Sequence, residues 1–291
     1  MRTYVFSGFA DEYSPVLDEQ IAGLGKLGIC HLELRFADQI NVSDFTVEKT
    51  AEVKAKLDAA GISVSAIGSP LGKIRVDEDF DAHLEKARRT FWLANRLGCP
   101  YIRMFSFYPP KGKDIRDFRD EVIARVGALL DLADDYGVTL CHENEAKIYG
   151  EAPEMCLDLL RHFDGRLRCV FDMGNFRLEK YDPMAAYEML KDYIAYFHIK
   201  DGTADHVILP PGEGEAQIEA ILRIALDIAG DSIKDIAATA GINRNTLYKW
   251  NCGAMRFSPD NIDKLIVYFQ EHEPERLDRA EKVYDALLGI K

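Results

Sequence analysis

Cysteines are few and isolated: Cys30, Cys99, Cys141, Cys156, Cys169 and Cys252 form no CxxC pair. That spacing gives neither a zinc ribbon nor a disulfide framework, and reduced thiols are expected. No run of about 18 apolar residues occurs, and no basic segment followed by an apolar run opens the chain, so neither a membrane span nor secretion is predicted and a cytoplasmic location is expected. No GxGxxG or GxxxxGK[ST] loop follows a strand-like run, which leaves a nucleotide site without support. Positive charge is also short. With 36 Lys and Arg against 49 Asp and Glu, the formal net charge is -13, which disfavours nonspecific nucleic-acid binding by the whole molecule. The deficit is uneven, because residues 231–291 carry 9 basic and 10 acidic side chains and are nearly balanced.

What is present is an ordinary globular composition, 47% apolar and 29% charged over 291 residues, enough for one large α/β barrel or two domains. Short β-rich runs at 4–9, 31–35, 63–67, 101–107, 138–142, 168–171 and 195–199 alternate with amphipathic runs at 16–27, 47–60, 80–97, 115–136, 153–163 and 183–192. Gly28, Gly61, Gly98 and Gly137 each stand where a helix C-cap is wanted. Seven βα units in a row predict a parallel sheet with right-handed crossovers. A barrel fits better than a doubly wound sheet, because polar residues recur at the C-terminal ends of all the strands: Asp11 and Glu12, Glu33 and Arg35, Ser69, Arg103 and Ser106, Glu143, Asp172, His198.

Three of these strand ends carry metal-competent groups. Val138 to Cys141 leads into His142-Glu143-Asn144-Glu145, Cys169-Val170-Phe171 delivers Asp172, and Tyr196-Phe197 delivers His198. Oxygen and imidazole donors in this mixture suit Mn, Co, Mg, Zn or Fe, and the lack of thiolates argues against a closed structural zinc site. His142 is expected to point to the side of its strand opposite Glu143. His83 and His162, on helical runs, read as solvated faces. Glu33 and Arg35 share a strand face with Arg103 nearby in the sheet, and either pair with one another or bind substrate hydroxyls. Lys200 and Asp201 are placed to orient a metal shell from outside.

Residues 6 to 214 resemble the sugar phosphate isomerase/epimerase family, the xylose-isomerase-like TIM barrels that include inosose dehydratases and endonuclease-four-type enzymes. The resembling pieces are Gly8-Phe-Ala-Asp-Glu12, Leu32-Glu-Leu-Arg35, Ile102-Arg-Met-Phe-Ser-Phe107, His142-Glu-Asn-Glu145 with Ile148-Tyr-Gly150, Phe171-Asp-Met-Gly-Asn-Phe176, Phe197-His-Ile-Lys-Asp201 and Pro211-Gly-Glu-Gly214. The resemblance implies that Glu143, Asp172 and His198 hold a divalent ion (Mn, Mg, Co or Zn), that Glu143 doubles as acid/base, and that Asn175 faces the substrate; Glu33, Arg103 and Lys200 are the further substrate-binding candidates. It implies proton transfer between adjacent carbons of a sugar or polyol through an enediolate. Isomerase, epimerase and dehydratase chemistry share that step, and a homo-oligomer is among the expectations.

The chain departs from this pattern after residue 230. The family supplies a further ligand and acid/base Glu from an eighth strand; here two short helical runs meet at Ala240-Gly241-Ile242, with Asn243 as the N-cap of the second. The expected organisation is therefore a barrel over 1–230, a helix-turn-helix-like segment over 231–270 and a C-terminal helix over 271–291 that packs on the barrel. The middle segment resembles phage-repressor and Cro domains, which would aim Arg244, Asn245, Tyr248 and Lys249 at DNA. Its five basic and four acidic residues make a weak footprint for that role. Residues 265–270 keep helical spacing, but as a strand they would offer Glu271 or Glu273 as the missing ligand. Beside the enzyme stand two alternatives: a sugar-sensing DNA-binding regulator, and an inactive barrel lacking its eighth-strand Glu.

Overall fold

The computed structural model describes residues 5–226, 237–243, 246–247, 258, 260–261, 264 and 267–268. The chain divides into two compact units, Val5–His198 and a second that begins at Ile199 and includes residues 1–4.

Apolar β-rich runs build the sheet of the larger unit. Its strands are β1 (His31–Leu34), β2 (Ser63–Ile67), β3 (Tyr101–Met104), β4 (Thr139–Glu143), β5 (Arg168–Asp172) and β6 (Ile194–His198). They lie side by side in chain order, and every neighbour is parallel. A doubly wound sheet reverses its order at a switch point; an uninterrupted sequence of βα steps curls in one direction, which is the barrel arrangement. Helices α1 (Leu17–Lys26), α2 (Val47–Ala59), α3 (Phe80–Leu97), α4 (Arg119–Tyr136) and α5 (Pro153–His162) alternate with the strands, followed by α6 (Met173–Leu178) and α7 (Pro183–Leu190). Local chemistry starts and stops them: Thr46 accepts from Lys49 N, Asp79 from Asp81 N, and Pro153 and Pro183 open their helices. Gly28, Gly61, Gly98 and Gly137 follow four of these helices at positive φ, as the sequence spacing predicts.

Three departures from the sequence reading have local causes. The run at 4–9 forms no strand among the described residues. Its pairing is one bridge from Gly8 to Leu32, and a glycine adds no side chain to hold a pleated face. The run at 101–107 stops as a strand at Met104, because its next residues bond to the loop after β2 instead. Phe105 N donates to Leu71 O, Phe107 N to Gly72 O and Tyr108 N to Ile74 O. The short helix α6 was not foreseen, although Asp172 caps it by accepting from Asn175 N at 2.7 Å.

His83 is a correction of a different kind, since it is buried, not solvated. Its Nε2 accepts from Gly72 N at 2.9 Å and its ring lies against Phe80 and Phe107. Burial first, and then Lys86 and Arg125, lower its pKa to about 4. The unfolded chain, with a His near 6.5, therefore takes up this proton first, and stability falls as pH drops from 6.5 towards 4, by roughly 3 kcal/mol for a shift of this size. Below that window the group contributes no further loss. His83→Gln retains an acceptor for Gly72 N without a proton to gain. Urea unfolding at pH 7, 6, 5 and 4.5 is expected to show wild type losing stability relative to this variant as pH falls; a constant difference would contradict the assignment.

In the second unit, Asp201–Gly202 pairs antiparallel with Ile208–Leu209, and α8 (Ile218–Leu226) follows. The Asp201 carboxylate accepts from four backbone N–H groups, those of Gly202, Gly212, Gly214 and Ala216, at 2.8 to 3.0 Å. These bonds fold the 202–216 loop around it. Further on, residues 237–239 are helical, Gly241 turns at φ 63°, and the Asn243 side chain accepts from Thr246 N at 3.3 Å. Arg244, Asn245, Tyr248, Lys249, Glu271 and Glu273 lie outside the described residues. No helix among the described residues is long and apolar enough to cross a membrane.

Candidate metal centre

Alternation along a strand sends every second side chain to the same face. On that rule Glu33 of β1, Arg103 of β3, Glu143 of β4, Asp172 of β5, and Tyr196 and His198 of β6 are carried to the C-terminal end of the sheet. Asp172 and His198 are directly opposite each other in the β5–β6 register. Glu143, Asp172 and His198 each present one donor atom within 4.8 Å of the other two, and all three residues are buried. The structure thus brings together the three residues that the sequence marked as ligands.

Around this trio the charges alternate. His198 Nδ1 donates to Glu143 Oε1 at 2.7 Å, and His198 Nε2 donates to Glu33 Oε2 at 3.0 Å. With the ring protonated both nitrogens donate, and an ion bound at Nδ1 would take the place of that nitrogen's proton. Glu143 Oε2 faces Arg103 Nη1 at 3.2 Å, and Arg103 Nη2 donates to Gly68 O. Tyr196 Oη donates to Glu33 Oε1 at 3.2 Å. Burial alone would lower the His198 pKa, but the charges of Glu143 and Glu33 and the hydrogen bonds to them raise it to about 10. Burial alone would raise the Glu143 pKa; His198 and Arg103 outweigh it and hold the carboxyl well below the ordinary range. The rings of Phe9 and Phe105 wall the cluster, Phe9 edge-on to His198 and both in reach of the Arg103 guanidinium.

Two atoms of the cluster are left over. Glu143 Oε2 and Arg103 Nε are buried without a hydrogen-bond partner. Glu143 Oε2 is held by the Arg103 charge alone and lies beside two further donors, so it keeps lone pairs that a ligand can complete. Two carboxylates and one imidazole suit a divalent ion, and they include no thiolate. The buried thiols are elsewhere and inert: burial pushes Cys99 and Cys169 up to about 12.

The ends of β4 and β5 are also clasped together. Asn144 Nδ2 donates to Asp172 O and Asn144 Oδ1 accepts from Asp172 N, while Asn175 Nδ2 donates to Asn144 O. Asn175, expected to face substrate, is thus part of the frame that spaces the ligands. Of the other marked residues, Arg35 pairs with Asp11 and Glu12 at 2.7 and 3.1 Å, leaving Glu33 to His198 and Tyr196. Lys200 is half-buried in the second unit. His142 lies on the side away from Glu143, with Nε2 at 2.9 Å from Ser106 Oγ. Sequence reading missed Tyr196 and Asn144. Tyr196 had a signal, since it precedes His198 by two residues on one strand and so shares its face. Asn144 had none, because an amide that bonds to a neighbouring strand leaves no trace in its own segment.

A model of the xylose isomerase-like TIM barrel family matches residues 22–254. The chain belongs to this family. Among solved structures, it resembles a xylose isomerase-like TIM barrel protein from Mycobacterium smegmatis in complex with magnesium, at 20% identity over 82% of this chain and 89% of that one, with a TM-score of 0.59. A probable 3-DHS dehydratase from Bacillus anthracis involved in petrobactin synthesis is 18% identical over 86% and 98%, with a TM-score of 0.65. A 3-keto-D-glucoside 4-epimerase from E. coli is 16% identical over 76% and 83%, with a TM-score of 0.58. No curated protein matches the chain. At these identities the solved structures support the xylose isomerase-like barrel as a fold; the chemistry of the chain has to be argued from its own side chains.

Proposed function

We propose that this xylose isomerase-like barrel is a divalent-metal-dependent isomerase or epimerase of a sugar or polyol, with Glu143, Asp172 and His198 as ligands. The observation that carries the reading is the convergence of three buried donors, one from each residue, within 4.8 Å of one another. The magnesium bound in one structural relative and the naming of another as a 4-epimerase agree with it. When bound, a divalent ion supplies Lewis-acid polarisation of neighbouring substrate oxygens. The chain supplies the rest. Glu143 takes a proton from the carbon next to the substrate carbonyl; isomerisation returns it to the former carbonyl carbon, and epimerisation needs a second group to deliver a proton to the same carbon on the opposite face. Arg103, at 3.2 Å, keeps that carboxylate ionised and aimed. Phe9 and Phe105 shield the reacting carbon from water. The family's eighth-strand Glu has no counterpart among the described residues, where the centre's other carboxylate on a strand facing His198 is Glu33.

The test has two arms. Dialysed protein is titrated with Mn²⁺ by calorimetry, and a panel of unphosphorylated ketohexoses is incubated with the loaded protein in D₂O. About one equivalent of Mn²⁺ and loss of the proton NMR signal next to the carbonyl are expected. Protein that takes up no Mn²⁺, or Mn²⁺-loaded protein that exchanges no such proton, would count against the reading.

A further inference from the structure

Of the two carboxylates that touch His198, only one belongs to the donor trio. Nδ1 of the ring is the nitrogen turned to Glu143, at 2.7 Å from its Oε1, and Nε2 points the other way, to Glu33 Oε2 at 3.0 Å. Glu33 itself is held from behind, because its second oxygen accepts from Tyr196 Oη at 3.2 Å. Both oxygens of Glu33 are therefore engaged within the protein, and the residue is only 5% exposed.

We infer that Glu33 is a positioning residue for the metal-binding imidazole, and that Tyr196, Glu33 and His198 form a relay that fixes the ring with Nε2 protonated and Nδ1 presented to the ion. This inference rests on the metal reading proposed above and assigns Glu33 a role other than contact with substrate. An imidazole ligates through one nitrogen and must keep the other protonated. A carboxylate accepting from that second N–H sets the tautomer, stops ring rotation and makes the ligating nitrogen more basic. Tyr196 adds the constraint that Glu33 cannot swing away, because its hydroxyl donates to Glu33 Oε1. The relay spans β1 and β6, the two edges of the six-stranded sheet. It ties a residue of one edge to a metal-binding residue of the other.

A purely structural role for Glu33 would affect folding and leave the coordination sphere alone, so the readouts are metal affinity and the visible spectrum of the Co²⁺-loaded protein. Wild type, Glu33→Ala, Glu33→Gln and Tyr196→Phe are titrated with Mn²⁺ and Co²⁺, and the thermal midpoint of each is measured without metal. Glu33→Ala is expected to weaken binding by about 10 to 100-fold and to shift the Co²⁺ bands, as loss of the partner of a ligating imidazole does. Glu33→Gln keeps the side-chain volume and an acceptor oxygen; it is expected to weaken binding less than Glu33→Ala does. Tyr196→Phe is expected to have the smallest effect. Should Glu33→Ala fail to fold, Glu33→Gln carries the decision. Wild-type affinity and an unaltered Co²⁺ spectrum in the folded Glu33 variants would overturn the inference alone. A wild type that binds neither ion would overturn the metal reading and the inference together.

Discussion

Glu143→Gln is expected to abolish proton exchange, with a fall of about 10³-fold or more, and to weaken Mn²⁺ binding at the same time. The amide keeps the shape of the side chain and still offers one oxygen to His198 Nδ1. It removes the negative charge that His198 and Arg103 share, and it turns a donor towards one of them. A neutral amide accepts no proton from carbon and ligates a divalent ion poorly, so both functions assigned to Glu143 fail together. The metal-free variant also bears a cost, because removing one partner from a buried charge pair typically destabilises by about 3 to 5 kcal/mol. The measurements are deuterium incorporation in the ketohexose panel and calorimetric titration with Mn²⁺, with circular dichroism to show that the variant is folded. Exchange within tenfold of wild type in a folded Glu143→Gln protein would remove Glu143 from the reaction.

Gly72→Ala is expected to prevent folding or to cost about 4 kcal/mol or more, a size that only a few mechanisms reach. Two of them combine here. Gly72 adopts φ 83°, which L side chains rarely do, and a Cβ at this position would lie 1.9 Å from Phe105 O and 2.5 Å from Phe105 C. Those are backbone atoms fixed by the hydrogen bonds from Phe105 N to Leu71 O and from Phe107 N to Gly72 O, so nothing nearby can swing away. The comparison is Gly98→Ala. Gly98 has φ 71° but open space where its Cβ would go, so the left-handed backbone alone acts there, at about 1 to 2 kcal/mol. Urea midpoints for the two variants separate strain from collision. Equal losses would mean that the loop after β2 can move off β3.

Much of the fold could be read from the sequence because its signals are local. Apolar runs bounded by glycine gave the six sheet strands within a residue or two at most ends, and the 80–97 run became α3 at both ends. The residues that misled were those whose environment is set by distant chain. His83 sits on a helix whose pattern reads as amphipathic, yet the loop at Gly72 and the Phe107 ring cover it. The strand ending in Phe107 was cut short by pairing with a loop that carries no strand pattern of its own. In the centre, the residue types and strand ends of Glu143, Asp172 and His198 were visible, but which carboxylate meets which nitrogen was not. Pairing within the cluster depends on side-chain reach across a curled sheet, and no spacing within one segment encodes it. The same holds for Arg35, whose partners Asp11 and Glu12 lie in a short 3-10 helix more than twenty residues earlier.

The Asn144 clasp separates the making of the centre from its filling. The amide of Asp172 donates to an asparagine side chain and the carbonyl of Asp172 accepts from it, so the spacing between the two strand tips is set by bonds that involve no ion. An ion bound at the proposed centre would then come and go without loosening this frame: the Asp172 amide is expected to exchange with solvent equally slowly with Mn²⁺ and with a chelator, protected until the strands themselves part.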